Sequence, residues 1–340
     1  MDIFYDTSVL TDEFIKGLSD EELIALADLV GKEIGRELVT KTERENAIES
    51  RMAKGLNKDY VDDLYDATET SLKKVSLKKA EMDEINLALR EIGTTMDSRD
   101  VTNATNNLQV NTTALARVSR HVTGSRIGSS GPSGSTITAS FSQADLNAIN
   151  SLAESQLWWI GDYWDDSLSK VISSTISKES LATGLGREQV GKIIHGIVEG
   201  SIPGVAVPGT FRGSSEQYFQ MLAGTVRNRA SNFGAISAMN DAGFTTYRIQ
   251  AVMDERTSER CRFMHNRTFK VSQGKRHIER SLAAKDPDEY KEIAGWKTED
   301  EMKLIAGDGD DNSQQKALAA SGLSMPPYHA RCRTLVIEEN

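Results

Sequence analysis

The sequence predicts a mainly α-helical protein that ends in a small α+β module. Three observations predict this fold class. Apolar residues recur with helical spacing over several long segments, residues 244–252 alternate between apolar and polar side chains as a β-strand does, and both cysteines lie in the last quarter of the chain, each near a histidine. With 38% hydrophobic and 26% charged residues, the 340-residue chain has an ordinary globular composition and is long enough for two domains.

Residues 1–92 are predicted to form a helical, acidic N-terminal arm. Ser19 and Glu22 form a capping box ahead of apolar residues with helical spacing, and a second helical pattern runs from about Tyr60 to Ile92. Residues 1–100 contain 24 acidic and 14 basic side chains, which accounts for the entire net charge of −10. This acidic surface is most simply a solvated face, and less often a surface that docks a partner.

Residues 93–141 are predicted to be a flexible, polar, low-complexity linker. Serine, threonine, asparagine and glycine dominate this segment, which ends in TGSRIGSSGPSGSTITAS. Such a composition buries too little apolar area to offset the entropy lost on ordering. We therefore expect either a linker or a segment that becomes ordered only against a partner.

Residues 142–340 are predicted to form a helical core domain. Ser142 and Asp145 cap a helix that we expect to continue through the segment LWWIGDYW. This segment holds three of the four tryptophans of the chain, Trp158, Trp159 and Trp164. Large aromatic side chains most often anchor a core, and the alternative is an exposed aromatic interface for a partner subunit.

The elements that lead to the cysteines have recognisable start and stop signals. A short helix bounded by glycines is predicted within residues 180–204. A longer helix is predicted from Ser214 to Asp241, with Gly243 as its C-cap residue. The strand predicted over residues 244–252 then leads the chain to Asp254.

The two cysteines and their neighbouring histidines form a candidate zinc site. Cys261 and His265 have the spacing C-x3-H, and His329 and Cys332 have the spacing H-x2-C. If residues 256–266 are helical, Cys261 and His265 share one face, while the second pair needs only a tight turn. Four such ligands would close a tetrahedral zinc site, which indicates a structural rather than a catalytic ion. From spacing alone, two buried thiols or a disulfide remain alternatives.

The residues around these ligands form a motif in two parts, residues 254–270 and 325–334. The first part contains DERTSERC followed closely by HNRTF, and the second contains MPPYHARCR. Together they resemble the C-terminal signature of the phage Mu F-like head-morphogenesis proteins, the minor capsid proteins of tailed phages. The resemblance favours zinc over the two thiol alternatives.

The resemblance covers about residues 150–335, with its most specific parts at the two ends of the motif. The segment Arg227–Asp254 also resembles the approach to the motif in that family. Family members often have aspartate or glycine where this chain has His265 and Asn266. This departure makes His265 the weakest of the four predicted ligands.

The resemblance implies a minor head (capsid) protein of a tailed bacteriophage that acts structurally in head morphogenesis. The implied partners are the portal protein and a major capsid or scaffold protein, with a role in genome packaging or ejection. The implied location is the virion head, after synthesis in the host cytoplasm. Residues 247–280 hold nine basic and four acidic side chains, a patch that can contact packaged DNA but is more often a solvated face. The chain has no run of about 18 apolar residues, so no membrane partner is expected.

The alternative function is a zinc-dependent hydrolase or a nuclease-type effector. Asp254 or Glu255 would serve as a general base if His265 were not a ligand. The favoured role of Asp254 is instead to accept a hydrogen bond without binding the metal itself, and so to orient a nearby histidine or arginine. Arg256, Thr257 and Arg333 complete the motif residues. Because the sequence has no H-E-x-x-H, P-loop, G-x-S-x-G or zinc-deaminase signature, we expect no enzymatic activity.

Overall fold

The structure, a computed structural model, is mainly helical, with a three-stranded antiparallel sheet near the C-terminus. This architecture confirms the predicted fold class. The structure describes residues 41–74, 82–98, 102–127, 131–134, 137, 140–155, 163–183, 187–202, 214–284, 287–294 and 296–339. The predicted capping box at Ser19, the helix after it, Trp158 and Trp159 lie outside these residues.

Twelve helices and three strands are formed by the described residues. The helices are α1 (Lys41–Lys73), α2 (Met82–Ser98), α3 (Thr102–Ile127), α4 (Gln143–Glu154), α5 (Asp166–Thr183), α6 (Arg187–Val198), α7 (Ser215–Asp241), α8 (Glu259–Met264), α9 (Val271–Ala283), α10 (Pro287–Ala294), α11 (Glu299–Ala306) and α12 (Asp311–Ala320). The strands are β1 (Thr246–Gln250), β2 (Thr268–Lys270) and β3 (Leu335–Glu339). None of the described helices is both long enough and apolar enough to cross a membrane.

The predicted domain boundaries at residues 92 and 141 do not separate compact units. The chain divides instead into Met1–Arg44 and Glu45–Asn340. Within the second unit, one hydrophobic core contains residues from the predicted arm, the predicted linker and the predicted C-terminal domain, including Leu64, Leu115 and Val226. The predicted division into arm, linker and domain is therefore wrong for residues 45–340.

The flexible linker predicted over residues 93–141 is wrong for residues 102–127, which form helix α3 along the side of α7. Leu108 and Leu115 are fully buried. The hydroxyl of Ser119, also buried, donates a hydrogen bond to the carbonyl oxygen of Ser231 on α7 at 2.5 Å. Composition alone does not predict such a helix, because burying a polar side chain costs little free energy when the facing helix supplies its hydrogen-bond partner.

Helix α7 is the central element of the core, and its predicted bounds are confirmed. Ser214 caps its first turn and forms a capping box with Gln217, while Gly243, at φ 82°, follows its end. Helices α3, α4 and α9 and strand β3 pack around it. Its backbone also approaches α3 closely, since a Cβ atom on Gly234 would lie 2.1 Å from the carbonyl oxygen of Ala116. The short helix bounded by glycines is α6.

Tyr163 and Trp164, the part of the aromatic segment that the structure describes, contribute to the core, as predicted. Helix α4 has the predicted cap at Ser142 and Asp145, and it ends at Glu154. Trp164 is 9% exposed, and the hydroxyl of Tyr163 donates a hydrogen bond to the carbonyl oxygen of Val198 at 3.1 Å. The alternative of an exposed interface is therefore wrong for Trp164.

The small sheet has β1 at its centre, between β2 and β3. Both pairings are antiparallel, and the predicted strand over residues 244–252 is confirmed as β1. Tyr247 and Ile249 are fully buried on its core face. In the register of β1 with β3, Gln250 pairs with Leu335. The chain that leaves β1 therefore lies beside the chain that enters β3.

Candidate metal centre

The pairing of β1 with β3 explains how two distant parts of the sequence meet. The first part of the motif follows β1, and the second part precedes β3. Because the strands are antiparallel, the end of one lies next to the start of the other. The sulfur atoms of Cys261 and Cys332, 71 positions apart in sequence, lie 3.6 Å from each other.

Cys261 is positioned by the first turn of the short helix α8. Ser258 is the N-cap residue, and its hydroxyl accepts a hydrogen bond from the backbone N–H of Cys261 at 3.3 Å. A serine at this position satisfies one of the free N–H groups at the start of a helix. The side chain of Cys261 is buried, at 3% exposed.

His329 and Cys332 lie in the predicted tight turn, which α7 holds in place. Arg331 adopts a positive φ of 56° within this turn. The side-chain amide of Asn228 on α7 donates hydrogen bonds to the carbonyl oxygens of Cys332, at 3.0 Å, and Thr334, at 2.8 Å. The sequence analysis missed Asn228, since an asparagine inside a helix has no local signal for a contact 104 residues away.

Three of the four predicted ligands come together. Nε2 of His329 lies 3.1 Å from the sulfur of Cys261, and the ligand atoms of Cys261, His329 and Cys332 all lie within 4.8 Å of one another. In an ideal tetrahedral zinc site, two sulfur ligands lie about 3.8 Å apart, and a sulfur and a nitrogen lie about 3.6 Å apart. The observed sulfur–sulfur distance of 3.6 Å is close to the first value, and the sulfur–nitrogen distance of 3.1 Å is about 0.5 Å shorter than the second. The group has the donor atoms and the spacing to hold a metal ion.

The three side chains shift one another's pKa values. A hydrogen bond from Cys332 lowers the pKa of the Cys261 thiol, burial opposes this effect, and His329 adds to it. The same sulfur contact, together with burial, raises the pKa of Cys332. Burial acts to lower the pKa of His329, but the Cys261 sulfur reverses this, so the net direction is upward. The Cys261 sulfur is thus stabilised as a thiolate by two hydrogen-bond donors. A metal cation can stabilise the same thiolate in place of those donors.

His265 is not part of the group, so its prediction as a ligand is wrong. Helix α8 ends at Met264, and His265 leaves it with φ −57° and ψ 136°. It therefore does not share a helical face with Cys261. Its Nδ1 accepts a hydrogen bond from the backbone N–H of Ala251 at 3.2 Å. The group therefore has three protein ligands instead of four, and these three alone do not close a tetrahedral coordination sphere.

Asp254 has the predicted orienting role, and its partner is an arginine. Both oxygens of its carboxylate accept hydrogen bonds from the guanidinium of Arg333, at 2.6 and 2.8 Å. These hydrogen bonds hold the pKa of Asp254 well below its usual range. Arg333 directly follows Cys332, so the ion pair fastens the loop after β1 to the ligand segment before β3. A carboxylate held in this way is a weak proton acceptor and is poorly suited to act as a general base.

The loop between Asp254 and α8 is folded by hydrogen bonds among the motif residues. The backbone N–H of Arg256 donates to Asp254 at 3.0 Å, and the N–H of Asp254 donates to the hydroxyl of Thr257 at 2.8 Å. Arg256 contributes through its backbone, while its side chain is exposed. Arg262, which the sequence analysis did not single out, donates to the carbonyl oxygens of Asp254, at 2.8 Å, and Thr257, at 3.2 Å.

Comparison with known proteins gave no match, whether to a family model, a curated protein or a solved structure. The resemblance to the Mu F-like proteins therefore rests on the motif residues themselves.

Proposed function

We propose that Cys261, His329 and Cys332 bind one zinc ion, and that this ion has a structural role in a minor head protein of a tailed phage. The observation that carries the first part is the convergence of two thiols and one imidazole within 4.8 Å. Two sulfur donors and one nitrogen donor suit zinc, which accepts both types in a tetrahedral arrangement. Harder ions such as magnesium and calcium prefer oxygen donors.

The surroundings of the group support a structural role for the ion. The two sulfur atoms belong to side chains that are 3% and 4% exposed. The ion would close a loop of 71 positions between α8 and the segment before β3. Ligands gathered from such distant positions are not assembled in the unfolded chain, so the free energy of metal binding stabilises the folded state.

The assignment to a phage head rests on the motif residues that resemble the Mu F-like family. The structure supports the proposal by bringing the quoted residues into contact, with Asp254 and Cys261 from the first part meeting Cys332 and Arg333 from the second. On this proposal the protein does no chemistry and is incorporated into the virion head after synthesis in the host cytoplasm. Its partners are the portal protein and a major capsid or scaffold protein.

One observation favours the alternative of a zinc-dependent hydrolase or nuclease-type effector. Three protein ligands leave a fourth position that a water molecule can occupy, as in catalytic zinc sites. A catalytic site also needs a general base beside that water. Asp254, one of the two candidate bases of the motif, is already paired with Arg333. The structural role is therefore the better supported of the two.

Metal analysis tests the first part of the proposal. Protein purified without a chelator is expected to contain about one zinc per chain, and Cys332→Ser is expected to lose it. X-ray absorption of the zinc should show two sulfur neighbours and one imidazole. Metal-free protein whose thermal stability does not change on adding zinc would contradict a structural site.

Genetics in the phage that encodes the chain tests the second part. Deleting the gene should leave the major capsid protein folded but reduce the number of filled, infectious heads, and purified virions should contain the protein. Normal yields of filled heads without the protein would contradict the proposal.

The double variant Asp254→Ala with Glu255→Ala decides the enzyme alternative. If it folds and enters the virion but loses a hydrolytic activity that the wild type has, the enzyme is the better account.

A further inference from the structure

A second polar site lies apart from the Cys–His–Cys group, in a small cavity between helices α7, α9 and α10 and the turn before His329. The cavity measures about 30 Å³. Polar residues on all four of these segments line it, namely Arg229, His277, Ser281, Tyr290 and Tyr328. The guanidinium of Arg229 lies 4.9 Å from the centre of the Tyr290 ring and forms part of the wall.

Three of these residues carry buried polar atoms without a hydrogen-bond partner among the residues that the structure describes. They are Nδ1 of His277 and the hydroxyl oxygens of Ser281 and Tyr328. The side chains are deeply buried, at 9%, 7% and 1% exposed. A buried polar group without a partner is costly, so three around one cavity indicate that something in the cavity satisfies them.

We propose that this cavity holds one or two ordered water molecules, one of which hydrogen-bonds to His277, Ser281 and Tyr328 together. A single water needs about 10–15 Å³ and two to four polar partners, and the cavity meets both requirements. The bound water joins α9 to the residue that directly precedes His329. It thus steadies the ligand segment through a second contact besides the ion pair of Asp254 with Arg333, and it does so whether or not a metal is bound.

The chemistry of His277 agrees with water as the ligand. Burial, followed by the nearby charges of Arg229 and Arg280, lowers the pKa of His277 to about 4. Its imidazole is therefore neutral at neutral pH, with one nitrogen as donor and the other as acceptor. Water can both donate and accept, so it satisfies Nδ1 in either tautomer and the two hydroxyl groups as well.

A crystal structure of the full chain at about 1.5 Å resolution tests the inference. We expect one or two density peaks in the cavity, within about 3.2 Å of at least two of the three unpartnered atoms. A second crystal soaked in bromide distinguishes water from an anion, because bromide gives an anomalous signal. An empty cavity, an anomalous bromide peak, or protein partners for all three atoms would each overturn the proposal.

Paired substitutions test it in solution. Ser281→Ala and Tyr328→Phe each remove one hydroxyl and keep the shape of the side chain, and each should lower the melting temperature by a few degrees. If both hydroxyls bind the same water, the double variant should lose less than the sum of the single losses. Ser324→Ala is the control, since its hydroxyl is buried and unpartnered among the described residues but does not line this cavity. Its effect should add to that of Ser281→Ala, and full additivity in the Ser281 and Tyr328 pair would overturn the proposal.

Discussion

The contact between α3 and α7 and the Cys–His–Cys group are both buried and polar, but they are completed in different ways. Between the helices, the polar groups pair with each other: Arg120 on α3 donates hydrogen bonds to Ser237 at 2.7 Å and to Asp241 at 2.5 Å on α7. In the Cys–His–Cys group, three ligand atoms converge on one point. The contact of Arg120 is made with protein atoms alone, whereas the group could hold a metal ion.

This difference separates two kinds of stability. Packing and hydrogen bonds between α3 and α7 should hold the fold under all metal conditions. The segment before β3 should instead respond to metal, because its ligands are gathered only in the folded chain. Substitutions in each region, with a matched control in each case, can test whether the two behave independently.

The largest effect is expected where the backbones of α3 and α7 meet. In Gly234→Ala the new Cβ would lie 2.1 Å from the carbonyl oxygen of Ala116, and backbone cannot move aside cheaply. We expect a loss of about 3 kcal/mol in the free energy of unfolding, measured by urea denaturation. Gly191→Ala in α6 is the control, since its Cβ would meet no atom of the described residues outside its own helix closer than 3.9 Å. This variant should be unchanged or up to about 1 kcal/mol more stable, and equal losses in both would contradict a close approach at Gly234.

The next largest effect concerns the choice between the two histidines of the motif. His329→Ala removes a ligand atom. Changing a residue that only hydrogen-bonds to a ligand weakens metal binding by up to about 100-fold, so this variant should weaken zinc binding by more than that. His265→Ala should keep about one zinc per chain, because its ring bonds to the backbone of Ala251 instead. Competition with a chromophoric chelator measures both affinities. Loss of zinc in His265→Ala with retention in His329→Ala would reverse the assignment.

A smaller effect is expected for the buried arginine of α3. Arg120→Met removes hydrogen bonds from a charged group whose side chain is 5% exposed, which should cost about 2 kcal/mol of stability. Arg126→Met, on the same helix, removes an ion pair with Glu338 in which the arginine side chain is 48% exposed. Exposed pairs contribute about 0–1 kcal/mol, so this control should change little. Both losses should be the same with and without zinc, and a zinc-dependent loss at Arg120 would show that the two regions are coupled.

The same two regions show how far the sequence could predict the structure. The caps at Ser142 and Ser214, the end of α7 at Gly243 and the strand β1 were all predicted, because each depends on residues close in sequence. Helix α3 was missed because its polar residues are buried only where α7 supplies partners such as Ser237 and Asp241. Composition does not contain that information.

Only part of the candidate site was predicted, because only part of it depends on residues that are close in sequence. Residue type and spacing identified Cys261, His329 and Cys332, since each cysteine of the chain has a histidine within four positions. The position of His265 depended on whether α8 continued past Met264, and the ends of a helix are the least reliable part of a sequence-based prediction. The support from Asn228 depends on a long-range contact that the sequence does not reveal.

The smallest effect is expected for the carboxylate that joins the two parts of the motif. Asp254→Asn keeps the size of the side chain but loses the charged, two-point contact with Arg333. Because this contact orients the residue next to Cys332, zinc affinity should fall by about 10–100-fold while the fold is retained. Glu255→Gln is the control, since Glu255 is exposed and its neutralisation should leave the affinity unchanged.

The pKa of Asp254 is depressed, so its contribution is fully present above its ordinary pKa of 3.8 and is lost only as the pH falls through the lower folded value. The difference between Asp254→Asn and the wild type should therefore be constant from pH 6 to 8, and a difference that varies across this range would show that another group orients the ligand segment.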